Sequence, residues 1–122
     1  MNASKKTILV VDDEPEIQFL LGEEIADLGY VVVKASGGVE AWGIITSMPI
    51  DLIISDIRMP EGDGIDLLSK VKALKPSPKM IFITGHAAFD LDKVKTMGGD
   101  GFLFKPYKFE ELSHLISQVL AS

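Results

Sequence analysis

Cysteine is absent from this chain, tryptophan occurs once, and no apolar run approaches the ~20 residues that a membrane-spanning helix needs. The absence of cysteine excludes disulfide bridges and thiolate metal sites, and it fits a reducing compartment. The first residues, 1–6, lack an apolar stretch long enough for a secretory signal. We therefore expect a cytoplasmic protein without membrane contact.

Basic residues are scarce as well, since 12 Lys and Arg stand against 18 Asp and Glu, giving a formal net charge of −6. This deficit argues against direct nucleic-acid binding, which needs a basic surface. The acidic excess is confined to one half of the chain. Residues 1–61 hold 4 basic and 11 acidic residues, whereas residues 62–122 hold 8 and 7. A cleft built from the first half should attract cations.

The remaining composition is that of a folded globular domain. Of the 122 residues, 47% are hydrophobic and 25% are charged, and no repeat, low-complexity segment or long linker divides them. A chain of this length can bury one core, so we expect a single domain over residues 1–122.

Short apolar runs bounded by turn residues alternate five times with helical patterns, and the runs are typical of buried parallel strands. The predicted strands are Thr7–Val11, Tyr30–Lys34, Leu52–Ser55, Lys79–Ile83 and Gly101–Phe104. The predicted helices are Pro15–Leu28, Gly38–Ser47, Gly64–Leu74, Phe89–Met97 and Phe109–Ala121. Repeated βα units predict an α/β fold with a parallel sheet and helices on both faces. The first, third and fourth strands are the most apolar and should be central, which favours the doubly wound order 2-1-3-4-5.

The first two helices carry local signals for their ends and faces. One apolar face of the first helix is predicted to pack on the sheet, and its members are Ile17, Leu20, Leu21, Ile25 and Leu28. Gly29 should end this helix as a C-cap residue. Ser36 is a candidate N-cap for the second helix.

Charged and hydroxyl side chains stand where four predicted strands end. They are Asp12 and Asp13 after the first strand, Asp56 after the third, Thr84 after the fourth and Lys105 after the fifth. Because the carboxyl ends of parallel strands share one edge of an open sheet, where ligands bind, these side chains should converge in one cleft.

Three carboxylates in one cleft suit a divalent cation. Mg²⁺ prefers oxygen ligands, and Asp12, Asp13 and Asp56 would repel one another unless a cation neutralised them. The adjacent Asp12 and Asp13 have an equally good alternative interpretation, as a solvated acidic turn or as charges favoured at the N-terminus of a helix. Asp56 from a neighbouring strand makes the metal interpretation the more economical one.

Asp56 also suits nucleophilic chemistry. A carboxylate can attack phosphorus and form an aspartyl phosphate, and the transferring group needs a metal, a donor hydroxyl and a cation around its oxygens. Thr84 offers the hydroxyl, Lys105 offers the ammonium, and Gly85 leaves space beside the proposed site.

Other cleft chemistries fit less well. The sequence has neither a Gly-x-Gly-x-x-Gly motif after a strand nor a Gly-Lys-Ser/Thr phosphate loop, and the turn after the first strand is acidic. The segment Asp56-Ile57-Arg58 lacks the second catalytic acid that a metal-dependent phosphatase with an Asp-x-Asp motif would need.

Four segments around the predicted cleft match the motifs of one family. They are Val10-Val11-Asp12-Asp13-Glu14-Pro15, Asp56-Ile57-Arg58-Met59-Pro60 with Asp63-Gly64, Ile83-Thr84-Gly85 and Phe104-Lys105-Pro106-Tyr107. With these motifs the chain resembles, over essentially its whole length, the receiver domain of two-component response regulators, the CheY-like superfamily. The resemblance implies the flavodoxin-like (βα)5 fold and a bacterial phosphorelay protein.

The resemblance implies how the phosphoryl group and the metal would be held. Asp56 would accept the phosphoryl group from a histidine kinase or a histidine phosphotransfer protein. Asp13, Asp56 and the backbone carbonyl of Arg58 would bind Mg²⁺ directly, and Asp12 would act through water. Thr84 and Lys105 would bind the phosphoryl oxygens.

The resemblance also implies how the signal would leave the site. Thr84 and the aromatic switch residue Phe102 would change the surface formed by the fourth helix, the fifth strand and the fifth helix. The Lys105–Pro106 bond would be cis, an arrangement that proline makes accessible. Output would come through a partner protein or a separate output domain, since the chain itself should be a signalling switch rather than an enzyme.

Two alternatives from other classes stay open. One is an interaction module that keeps the fold and signals without phosphorylation, which the complete set of cleft residues disfavours. The other is a true metal-dependent phosphatase, which the missing second acid disfavours. The last predicted helix, Phe109–Ala121, contains neither lysine nor arginine, which argues against a charged dimer interface and favours a monomer or weak dimer.

Overall fold

The computed structural model describes residues 5–57, 64–85, 95–96 and 98–122. The strands are β1 Thr7–Val11, β2 Val31–Ala35, β3 Leu52–Ser55, β4 Lys79–Thr84 and β5 Gly101–Phe104. The helices are α1 Pro15–Asp27, α2 Gly38–Ile45, α3 Gly64–Lys72 and a C-terminal helix, Phe109–Ala121. Most of the predicted fourth helix, residues 89–97, lies outside the described residues; of that range, Lys95 and Thr96 are described and helical.

The five strands form one parallel sheet in the order β2-β1-β3-β4-β5, which confirms the predicted topology. Val11 at the end of β1 is in register with Ser55 at the end of β3. Asp12 and Asp56 are the next residues along these two neighbouring strands, so the register alone brings them to the same edge of the sheet.

Successive residues of the strands face opposite sides of the sheet, and each side has its own hydrophobic cluster. Leu9 and Val11 of β1 belong to the cluster that includes Phe82 and packs against α2 and α3. Ile8 and Val10 belong to the cluster on the other side, which packs against α1 and the C-terminal helix. The central strands are therefore buried on both faces, as their continuous apolar sequences predicted.

The two edge strands are less buried than their apolar sequences suggested. The prediction of a buried fifth strand is wrong, because β5 is only partly covered and Phe104 is 43% exposed. Val31 at the start of β2 is exposed to a similar extent. In the part of the chain that the structure describes, each of these strands has a hydrogen-bonded neighbour on one side only.

The local signals in the first two helices were confirmed in part. Gly29 follows α1 with φ +98°, the left-handed conformation that suits glycine after a helix. Leu20, however, is 58% exposed rather than packed on the sheet. Ser36 does not cap α2, which begins after Gly37 without a side-chain cap. The Ser36 backbone N–H donates instead to Glu40 Oε1 at 2.6 Å.

The helices of the described residues are at most 13 residues long. None of them combines the length and the apolar character that crossing a bilayer requires.

Candidate functional site

Three carboxylates meet at the carboxyl edge of the sheet. One side-chain oxygen from each of Asp12, Asp13 and Asp56 lies within 4.8 Å of the others. Asp12 is almost completely buried, Asp13 is exposed, and the Asp56 side chain is 11% exposed. The structure thus brings together the three acidic residues that the sequence singled out.

Backbone donors fix one oxygen of each of the two buried carboxylates. Asp12 Oδ1 accepts a hydrogen bond from the Glu14 N–H at 2.9 Å. Asp56 Oδ1 accepts one from the Ile57 N–H at 2.6 Å. Each side chain is held in one orientation, so its second oxygen, Oδ2, can serve a cation or a reacting group.

Lys105 faces both of these second oxygens. Its Nζ lies 3.8 Å from Asp56 Oδ2 and 4.0 Å from Asp12 Oδ2. The Lys105 backbone N–H donates to the Thr84 carbonyl at 3.0 Å, which extends the β4–β5 pairing by one residue. The pairing of β5 with β4 therefore positions the Lys105 backbone so that its ammonium group lies near the carboxylates.

Thr84 is fully buried at the end of β4, in register with Phe104. Among the described residues, apart from the neighbours of Gly85 in the chain, no heavy atom lies within 4 Å of a Cβ added at Gly85. The Phe102 ring lies between two others, 5.9 Å from the Phe82 centroid and 5.9 Å from the Phe104 centroid. The predicted carbonyl ligand, Arg58, lies outside the described residues.

Burial raises the pKa of the Asp12 carboxyl, and the charges of Asp56 and Asp13 add to the rise. The Glu14 N–H and the Lys105 ammonium act in the opposite direction without cancelling it. Because the folded protein then binds the Asp12 proton more tightly than the unfolded chain does, this group makes folding less favourable as the pH rises through its folded pKa. At neutral pH the ionised Asp12 is a source of instability in the metal-free protein.

Replacing Asp12 by asparagine should accordingly raise the melting temperature of the metal-free protein by a few degrees at neutral pH. The amide oxygen can still accept the Glu14 N–H, while the buried charge is gone. Calorimetry in the presence of a chelator measures the effect, with Asp13→Asn as the comparison, since the exposed Asp13 should give a smaller rise. A lower melting temperature for Asp12→Asn would show that the attraction of Lys105 outweighs the burial cost.

The donor set fits a hard divalent cation. All three side chains offer carboxylate oxygens, which are the ligands that Mg²⁺ accepts in proteins. Lys105 supplies one positive charge against three negative ones. The cluster thus keeps an excess of negative charge that a cation would neutralise.

Sequence reasoning did not predict the contacts of three residues that shape the site, although two of them, Gly64 and Tyr107, belong to the motifs that match the family. The Gln18 side-chain amide donates to the carbonyls of Asp12 and Ala35, joining α1 to the ends of β1 and β2. The Tyr107 hydroxyl donates to Glu24 across 83 positions of sequence. Gly64 lies against the Asp56 carbonyl. None of the three has a local pattern that indicates its partner.

Comparison with known proteins identifies the family to which this fold and site belong. The family model of the response regulator receiver domain matches residues 8–117. The chain therefore belongs to the response regulator receiver domains, a family of two-component signalling switches.

Individual relatives agree with this assignment. The transcriptional regulatory protein GlrR of Escherichia coli is 34% identical over 114 residues, which is 93% of this chain and 26% of GlrR. The sporulation initiation phosphotransferase F of Bacillus subtilis is 30% identical over 93% of this chain and 92% of its own length. The chain spans about a quarter of the length of the first curated relatives it matches.

A solved structure of a relative has the same fold. The response regulator TrrA of Thermotoga maritima, crystallised in complex with Mg²⁺–BeF, matches with a TM-score of 0.86 and 34% identity. The match covers 93% of this chain and 98% of TrrA.

Proposed function

We propose that Asp56 is the phosphoacceptor of this receiver domain, and that it takes a phosphoryl group from a histidine kinase or a histidine phosphotransfer protein. The observation that carries the proposal is the geometry of the Asp56 carboxylate. One oxygen is held by the Ile57 N–H at 2.6 Å, and the other faces the Lys105 ammonium at 3.8 Å. Asp12 is more deeply buried and Asp13 is exposed, which makes both poorer nucleophiles in this setting.

The transfer is a substitution at phosphorus. Asp56 Oδ2 forms a bond to phosphorus, while the bond from phosphorus to the donor histidine nitrogen breaks and that nitrogen leaves with the electron pair. Lys105 is placed to attract the phosphoryl oxygens as their charge moves, and the Thr84 hydroxyl is proposed as a hydrogen-bond donor to them. Donors held in place before the reaction need no rearrangement during it.

Asp12, Asp13 and Asp56 would hold Mg²⁺, with the Arg58 carbonyl as a further proposed ligand. Bound at this position, the ion supplies positive charge that offsets the repulsion between the carboxylates and the incoming phosphoryl oxygens. The oxygen donor set and the excess negative charge of the cluster support this assignment.

We propose β5, the C-terminal helix and the predicted helix at 89–97 as the output surface, with Thr84 and Phe102 as the switch residues. The support is the pairing of Thr84 with Phe104 and the row of rings from the buried Phe82 through Phe102 to the exposed Phe104. A movement of Thr84 would be transmitted through its strand pairing to Phe104, whose side chain is exposed. Burying a phenyl ring contributes about 1.5–3 kcal/mol, comparable with the gap between the two states of a switch.

The partners follow from the family. Receiver domains interact with histidine kinases and with output domains, and we propose both as partners here, with the output domain either attached or separate. The domain is proposed to act in the cytoplasm as a monomer or weak dimer, without binding nucleic acid itself. It would be a switch that assists its own phosphorylation rather than an enzyme with a separate substrate.

Acetyl phosphate, which needs no kinase, tests the proposal directly. Incubation of the protein with acetyl phosphate and Mg²⁺ should add one phosphoryl group, seen by intact-mass spectrometry and removed by hydroxylamine, because the product is an acyl phosphate. A chelator should suppress the reaction. A protein that takes up no phosphate would instead favour the phosphorylation-independent interaction module, and a hydroxylamine-stable product would place the phosphate on a hydroxyl group.

A further inference from the structure

Two hydrogen bonds to different elements anchor the chain at Lys105 and just after it. The Lys105 N–H donates to the Thr84 carbonyl of β4. The Tyr107 hydroxyl donates to Glu24 Oε1 of α1 at 2.9 Å. The Tyr107 ring is also partly buried against the hydrophobic cluster beneath α1.

The side chains of Lys105, Tyr107 and Glu24 line a groove between α1 and the segment that follows β5. The groove has a volume of about 290 Å³ and is lined by Ile17, Leu20, Leu21, Glu24, Lys105 and Tyr107. The Lys105 side chain, with 28% of its surface exposed, therefore has the groove beside it and the two carboxylates at its end. Lysine has a long side chain whose ordering costs conformational entropy, so its position depends on what holds the neighbouring backbone.

We infer that Tyr107 and Glu24 are positioning residues for Lys105, and that their hydrogen bond keeps the Lys105 ammonium directed at Asp56. This inference rests on the proposed function, because it assigns a role in phosphorylation to a contact outside the carboxylate cluster. The hydroxyl acts through the backbone of residues 105–107 and does not itself touch the reacting group.

The chemistry of the pair suits a permanent anchor. Burial raises the pKa of the Tyr107 hydroxyl, and the hydrogen bond to Glu24 and the charge of that carboxylate raise it further. The hydroxyl therefore keeps its proton at neutral pH and remains a donor. A hydrogen bond to a carboxylate is among the stronger ones available to a neutral side chain.

The rate of phosphorylation by acetyl phosphate at saturating Mg²⁺ measures the effect. Tyr107→Phe keeps the ring and removes the hydroxyl, and it should slow phosphorylation about fivefold, the factor that corresponds to about 1 kcal/mol for one hydrogen bond. Glu24→Ala should slow it by the same factor, and the double variant should be no slower than either single variant. Glu24→Gln retains an acceptor oxygen and should restore most of the wild-type rate.

Two controls separate positioning from a general structural effect. Tyr30→Phe removes the other tyrosine hydroxyl of the chain, which lies directly before β2 at the edge of the sheet opposite the carboxylates, and should leave the rate unchanged. The Mg²⁺ dependence of the melting temperature should also be unchanged in Tyr107→Phe, because the carboxylates are untouched.

The decisive comparison uses a Lys105→Ala background. Phosphorylation of Lys105→Ala should be slow, and adding Tyr107→Phe should slow it no further if the hydroxyl acts through the lysine. An unchanged rate in Tyr107→Phe alone, or the same fivefold loss with and without Lys105, overturns the inference while the proposed function stands. Failure of the wild-type protein to accept phosphate overturns both.

Discussion

Asp56→Asn is expected to abolish uptake of phosphate from acetyl phosphate, to below the limit of detection by intact-mass spectrometry. The asparagine amide has no negatively charged oxygen to attack phosphorus. Of the other two carboxylates in the cluster, Asp12 is more deeply buried and Asp13 is exposed, so neither should replace Asp56 as the acceptor. The fold should survive, since the asparagine Oδ1 can still accept the Ile57 N–H that Asp56 accepts at 2.6 Å. Circular dichroism and a cooperative melt confirm that the variant is folded before it is assayed.

Asp51→Asn is the matched control for this prediction. Asp51 stands at the other end of the same strand, β3, where its Oδ2 accepts the Thr7 N–H at 2.8 Å. The same substitution there keeps an acceptor and lies far along the strand from the cleft, so phosphorylation should proceed at the wild-type rate. If Asp56→Asn took up phosphate as fast as this control, the acceptor would have to be another residue.

Gly64→Ala should destabilise the protein by about 1–3 kcal/mol, the range for overpacking a buried position. A methyl group at Gly64 would lie 2.6 Å from the Asp56 carbonyl oxygen and 2.8 Å from Phe82 Cε1. Phe82 is completely buried, and the Asp56 carbonyl accepts a hydrogen bond from the Ser55 hydroxyl at 2.6 Å. The Gly64 N–H is itself bonded to the Ile57 carbonyl at 2.7 Å. The start of α3 would have to move away from the end of β3, which would displace Asp56 and slow phosphorylation as well.

Gly43→Ala is the comparison variant, and it should raise the free energy of unfolding rather than lower it. Gly43 lies inside α2, and an added Cβ would contact no heavy atom of the described residues beyond its own turn of helix, so alanine should stabilise the protein by about 0.5–1 kcal/mol through helix propensity. Denaturant unfolding measures both changes. A Gly64→Ala variant as stable as the wild type would mean that α3 adjusts to the methyl group without cost.

The topology and the convergence of the acidic residues could be predicted because they follow from short-range patterns. Apolar runs such as Ile8–Val11 and Leu52–Ile54 mark central strands, and the rule that parallel strands share a carboxyl edge places Asp12 and Asp56 side by side. The cis bond between Lys105 and Pro106, implied by the family resemblance, is also present.

What could not be predicted depends on contacts between distant residues. The apolar pattern of α1 includes Leu20, but the sheet covers only part of that pattern and leaves this side chain exposed. Serine is a residue type that favours N-cap positions, yet the Ser36 backbone N–H donates a hydrogen bond to the Glu40 side chain and the residue does not cap α2. The Tyr107–Glu24 bond joins residues 83 positions apart, and neither side chain carries a local signal for the other.

The tryptophan and the two tyrosines pack against different hydrophobic clusters, so each cluster has its own spectroscopic signal. The single tryptophan, Trp42, packs against the cluster under α2 and α3, with the Lys70 ammonium 5.8 Å from its ring centroid. Both tyrosines, Tyr30 and Tyr107, pack against the cluster on the opposite face. Tryptophan emission and tyrosine absorbance therefore report on different sides of one sheet. Because every central strand contributes side chains to both clusters, the two signals should change at the same denaturant concentration, as a single cooperative transition requires.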